Sequence, residues 1–146
     1  MNRKMVFEKQ EIGPMVEFLQ ELSLKNKISR LRNKLIKNMK ELIKELEEDR
    51  VELCKEHSEK DEDGEAVVLN DEYKVIDMEA LNKDIIELFE EKVTINSGEY
   101  SNDYSPLFDF LDSSEFDEEM SGVKANRYDL LLSVWEDAEE QENEER

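Results

Sequence analysis

Glu59-Lys60-Asp61-Glu62-Asp63-Gly64 places three carboxylates two residues apart ahead of a glycine, the way a calcium loop opens. With Gly64 at the sixth position of such a loop, Glu59, Asp61 and Asp63 fall at the first, third and fifth. The twelfth position requires a bidentate Glu and holds Asn70, and the first should be Asp. An acidic turn is therefore expected. Cys54 and His57 lie about one helical turn apart. A zinc site needs about four N or S ligands, and a Cys–His nucleophile needs an orienting group and an oxyanion donor. The expectation is a part-buried cysteine and a solvated histidine. The four glycines are scattered singly, so no loop cradles a phosphate. No catalytic, metal-binding or cofactor-binding residue is assigned, and the chain reads as non-enzymatic.

Charge is the stronger signal. The 146 residues carry 40 Asp and Glu against 20 Lys and Arg, a formal charge of −20. Residues 1–50 hold 12 basic and 9 acidic side chains, whereas residues 51–146 hold 8 and 31. Eight cations, Lys25, Lys27, Arg30, Arg32, Lys34, Lys37, Lys40 and Lys44, form one basic stripe. That stripe either faces the chain's own acidic body or is the solvated side of a helix. A net charge of −20 argues against direct nucleic-acid binding and against anionic membranes. No apolar run approaches the ~20 residues of a membrane span, and MNRKMVFEKQ lacks the apolar stretch of a signal peptide. A single cysteine excludes an intramolecular disulfide and suits a reducing compartment.

Phe108, Phe110, Leu111 and Phe116 interleave with Asp109, Asp112, Glu115, Asp117, Glu118 and Glu119. Carboxylates steer a basic partner and aromatics anchor it, so Asp109, Asp112, Glu115, Phe116, Asp117, Glu118 and Glu119 are the candidate partner-binding residues. The favoured reading of the aromatics is nonetheless ordinary core, with the carboxylates outside.

The elements that must position these groups give an α+β fold, mainly α, in a single domain over 1–146. Met5-Val6-Phe7 suits a short strand, and Pro14 suits the first turn of a helix carrying Met15, Val16, Phe18, Leu19 and Leu22. Leu22-Ser23-Leu24 breaks it. Ile28, Leu31, Leu35, Met39, Leu42, Leu46 and Leu53 then recur at helical spacing, with no Gly or Pro from 15 to 63. A helix over 25–57 would be about 50 Å long at ~1.5 Å per residue. A domain of this size has a radius of gyration of ~15 Å, so the helix would overhang it. Later helices, a second copy or another protein must cover its apolar stripe, and homo-oligomerisation through it is one expectation.

Ala66–Leu69 and Tyr73–Ile76 read as a hairpin through Asn70-Asp71-Glu72, within a unit spanning 61–96. Asp77 suits the N-cap of the helix carrying Met78, Leu81, Ile85, Leu88 and Phe89. Val93-Thr94-Ile95 is expected as a third strand beside the hairpin. In 97–146, Ser105 and Pro106 would cap and open a short helix. A last helix over 125–140 carries Tyr128, Leu131, Leu132 and Trp135, expected to pack on the Leu31–Leu46 stripe, and its acidic tail is expected to fray.

Leu22-Ser23-Leu24-Lys25 and the basic helix, then Lys60-Asp61-Glu62-Asp63-Gly64, the hairpin, and a helix ending Glu87-Leu88-Phe89 follow a familiar order. Over residues 15–96 the chain resembles small uncharacterised proteins of Gram-positive siphophages and prophages. The resemblance implies a phage origin, the host bacterial cytoplasm and a non-catalytic role, and supplies no site residues. Two functions follow as expectations. One is an acidic protein that binds a basic, nucleic-acid-handling host or defence protein, as a DNA mimic or inhibitor. The other is a morphogenesis or scaffold-like protein that assembles through its long helix.

Overall fold

The computed structural model describes residues 2–145. Its described elements run β1 (Arg3–Glu8), α1 (Lys9–Gln20), α2 (Asn26–Glu56), β2 (Val68–Leu69), β3 (Glu72–Tyr73), α3 (Met78–Glu90), β4 (Lys92–Ser97), α4 (Ser105–Leu111) and α5 (Gly122–Glu144). The fold is α+β and mainly helical, with the long amphipathic helix packed on later helices. No described helix is long and apolar enough to cross a membrane.

Met5 and Phe7 alternate with exposed Lys4 and Val6, which gives β1 one buried face. β1 pairs antiparallel with β4, in a register from Arg3 opposite Ser97 to Glu8 opposite Lys92. This overturns the placement of Val93-Thr94-Ile95 beside the hairpin. The hairpin is a separate two-stranded ribbon, β2 with β3. Glu72 belongs to its second strand, and the turn is Asn70-Asp71 alone, with φ of 52° and 66°. Two consecutive residues of positive φ are what a type I′ hairpin turn requires, and Asn and Asp tolerate that region better than most.

α1 begins five residues before Pro14, which therefore lies inside the helix and not in its first turn. Glu11 explains the early start: its Oε1 accepts the Glu8 amide at 2.6 Å and satisfies a donor at the helix entrance. Pro14 is exposed, and its missing N–H forfeits the bond to the Gln10 carbonyl. Ile12, Met15, Val16, Phe18 and Leu19 are buried.

Leu35, Ile36 and Met39 bury the first half of α2 in the core, with Ile28, Leu31, Leu42 and Ile43 packed around them. α1, α3 and α4 lie against this helix. At 31 residues α2 is about 46 Å long, yet none of the exposed large apolar side chains among the described residues belongs to it. Its stripe is covered by its own chain.

Asp77 caps α3 as expected, its Oδ1 accepting from the Ala80 amide at 3.2 Å. At α4, Ser105 is already helical; Asp103 supplies the acceptor, its Oδ1 taking the Ser105 amide at 3.0 Å. α5 runs to Glu144, beyond the expected 140. The carboxylate of Glu142 holds it, accepting from Arg3 Nε at 2.7 Å, so the tail described is docked at that point, not frayed. α5 packs chiefly on β1 and α1, not on the Leu31–Leu46 stripe. Trp135 stacks on Phe108 instead, and Arg127 pairs with Glu17 of α1.

Candidate functional site

The segment from Asp109 to Glu119 runs from α4 into the loop before α5. Asp109, Asp112, Glu115, Asp117 and Glu119 are exposed. Phe116 is not an outward anchor: it is half-buried between Phe110 and Tyr128, at ring-centroid distances of 6.0 and 5.7 Å. Phe108 is fully in the core. Glu118 also turns inward; one oxygen lies 3.5 Å from Lys124 Nζ, and the other is buried without a partner. This loop thus presents five carboxylates and no aromatic side chain reaching out beside them. Tyr128 donates to the Leu111 carbonyl at 2.5 Å, and burial raises its phenol pKa, with the Asp112 charge adding to the effect.

A second acidic surface lies between the C-terminal half of α2 and α3. Asp49, Glu52 and Glu56 face Asp84, Glu87 and Glu91 across a cleft of about 400 Å³, with Leu53 and Leu88 also in its lining. Each row steps by three and then four residues, which keeps its carboxylates on one helix face. That i, i+3, i+7 repetition in two helices was the readable signal for this cleft. Asp84 lies 2.6 Å from His57 Nε2, Glu91 pairs with Lys9 at 2.7 Å and Glu52 with Lys55 at 3.4 Å. Among the described residues, Asp49, Glu56 and Glu87 have no ion-pair partner.

His57 is thus engaged with α3 and only partly exposed, contrary to the expectation of a solvated ring. Cys54 is buried, with Arg50 Nη1 at 3.8 Å from its sulfur. The two residues one turn apart are held by different partners. In the acidic turn, Asp61 Oδ1 accepts from the amides of Asp63 and Glu65 at 2.9 and 3.0 Å, which closes the loop on itself.

The basic stripe divides in two. Arg32 is structural: its Nη1 donates to the carbonyls of Leu19 and Leu22 at 2.9 and 2.8 Å, satisfying acceptors where α1 ends. The other seven, Lys25, Lys27, Arg30, Lys34, Lys37, Lys40 and Lys44, are all exposed. None makes an ion pair among the described residues, so the stripe is a solvated face and not a neutralised one. Lys37, Lys40 and Lys44 line an open groove of about 620 Å³ with Gln20, Arg32, Asn33, Ile36 and Glu41.

Two like-charged rows across a cleft repel each other and attract a cationic surface. Neither a curated protein nor a solved structure matches the chain. A family model, protein of unknown function (DUF1617), matches residues 4–143 and so extends well past the 15–96 span of the resemblance drawn above. The chain belongs to the DUF1617 family.

Proposed function

We propose that this chain is a non-enzymatic protein of phage or prophage origin, acting in the host bacterial cytoplasm. There it occupies a basic, nucleic-acid-handling surface on a host or defence protein. The observation that carries this reading is the pair of facing carboxylate rows, Asp49, Glu52 and Glu56 against Asp84, Glu87 and Glu91. Along each helix the acids rise by about 5 Å per step. Two rows of negative charge flanking a groove are what a phosphate-binding surface meets on a duplex. The exposed acids from Asp109 to Glu119 extend the same chemistry to a second face.

Charge complementarity of this kind speeds encounter and selects partners, and it weakens with salt. Capture on immobilised protein from host lysate, read by mass spectrometry across a salt series, tests the proposal. A nuclease, polymerase or guide-RNA effector should be retained at low salt and lost at high salt. Recovery of virion proteins alone, or of nothing at any salt, would count against it. The scaffold alternative rested on an overhanging apolar stripe, and that motive is gone because α1, α3 and α4 cover α2.

A further inference from the structure

We infer that copies of this chain associate head to tail. In this arrangement the basic groove beside the first half of α2 receives the acidic β2–β3 hairpin of a second molecule.

The groove is formed where α1 ends against α2. Ile36 lies at its buried side, and the solvated ammonium groups of Lys37, Lys40 and Lys44 line it. A chain with twice as many acids as bases nevertheless leaves these three without an ion pair among the described residues, although Glu41 also lines the groove. Lysine stems provide apolar walls while their heads stay wet, so the groove suits a segment that is both acidic and apolar.

The hairpin has that chemistry. Val68 and Leu69 are 52% and 55% exposed and Ile76 is 71% exposed, an unusual concentration of bare apolar side chains. Glu65, Asp71 and Glu72 stand exposed among them. The turn at Asn70-Asp71 makes the hairpin a short projecting knob.

The knob cannot reach the groove of its own chain. It is bonded back to the far end of α2, with the Ile76 amide donating to the His57 carbonyl at 2.8 Å. From Lys40 to His57 the helix rises about 25 Å. The complement must therefore come from another molecule. At ~0.15 M salt charges farther apart than ~8 Å are largely screened, so local pairing of groove and knob outweighs the repulsion between two acidic bodies. In a head-to-tail contact each end of the assembly still offers a free groove or knob, so association yields chains or rings.

Sedimentation of the purified full chain tests this. In near-physiological salt the average mass should climb beyond a dimer as concentration rises, and it should return towards the monomer at high salt. Lys37→Glu/Lys40→Glu disables the groove and Leu69→Lys/Glu72→Lys disables the knob. All four positions are exposed, and circular dichroism checks that the variants fold. Each variant alone should associate at least tenfold more weakly. Mixed in equal amounts, the two should form a complex of two molecules that grows no further. A wild-type chain that stays monomeric at every concentration would overturn the inference. Association that neither variant weakens would do the same, as would a mixture that fails to pair.

Discussion

Trp135 of α5 lies flat on Phe108 of α4, with ring centroids 4.3 Å apart and planes within 2° of parallel. The guanidinium of Arg3 covers the indole, 4.8 Å from a ring centroid. Three elements distant in sequence, β1, α4 and α5, are joined through this one side chain. Trp135→Ala should cost about 3–5 kcal/mol, measured by urea unfolding. Arg3→Ala should cost about 1–2 kcal/mol, since it loses a cation–π contact and the charge-assisted bond to Glu142. A Trp135→Ala variant as stable as wild type would show that α5 is not held this way.

Arg32 closes the end of α1 by donating to the carbonyl of Leu19 in its last turn and to that of Leu22 just beyond it. Arg32→Ala should destabilise the fold by about 2 kcal/mol. Lysine should restore it only in part, because an ammonium can replace Nη1 at the two carbonyls but not also the bonds of Nε to Asn33 Oδ1 and of Nη2 to Ser29 Oγ. Equal stability of Arg32→Lys and wild type in chemical denaturation would show that the Nε and Nη2 bonds contribute nothing.

Tyr128 gives the chain a dependence on alkaline pH. Its pKa is raised above the ordinary tyrosine value, first by burial and then by the Asp112 charge. A group raised on folding contributes stability that is complete below its unfolded pKa and is lost as pH climbs through the folded one. The neutral phenol also donates to Leu111, which the phenolate cannot do. Stability should therefore fall above about pH 10, and Tyr128→Phe should remove that part of the fall. An unchanged alkaline profile in Tyr128→Phe would contradict this assignment.

The carboxylate rows predict a separation of stability from binding. Asp49→Asn, Glu56→Gln and Glu87→Gln remove charges that have no ion-pair partner among the described residues. The triple variant should keep its stability or gain a few tenths of a kcal/mol from relieved repulsion. Capture of a basic partner from lysate should fall by tenfold or more. Undiminished capture would move the binding surface elsewhere.

Helices with an internal apolar period were legible in the sequence: Ile28 to Leu53 declares α2, and Asp77 followed by Met78 and Leu81 declares α3 with its cap. Pairing between distant segments was not. β1 and β4 pair residues that are 84 to 94 positions apart, and nothing in Val93-Thr94-Ile95 distinguishes β1 from the nearer hairpin as partner. Proximity favoured the wrong one. At α1, Pro14 drew the boundary inwards, although Glu8 and Glu11 at capping-box spacing marked the true start.

The candidate site was legible in charge but not in orientation. Sequence spacing places Phe116 among acids, yet only the fold shows it turned between Phe110 and Tyr128. The cleft of Asp49 and Glu87 needed two helices to be brought side by side. A scan of single segments overlooks it for that reason.

The division of charge along α2 also opposes the helix's own field. Its first turn has no acidic residue, the N-cap is Lys25 without a side-chain cap, and Glu47, Glu48, Asp49, Glu52 and Glu56 crowd the C-terminal half. Cations at the positive end of the peptide dipoles and anions at the negative end each disfavour helix. A peptide of Asn26–Glu56 should therefore be poorly helical by itself, and α2 owes its length to what packs against it. Its amide protons near both ends should exchange fastest, which makes hydrogen exchange there an early gauge of loosened packing around the helix.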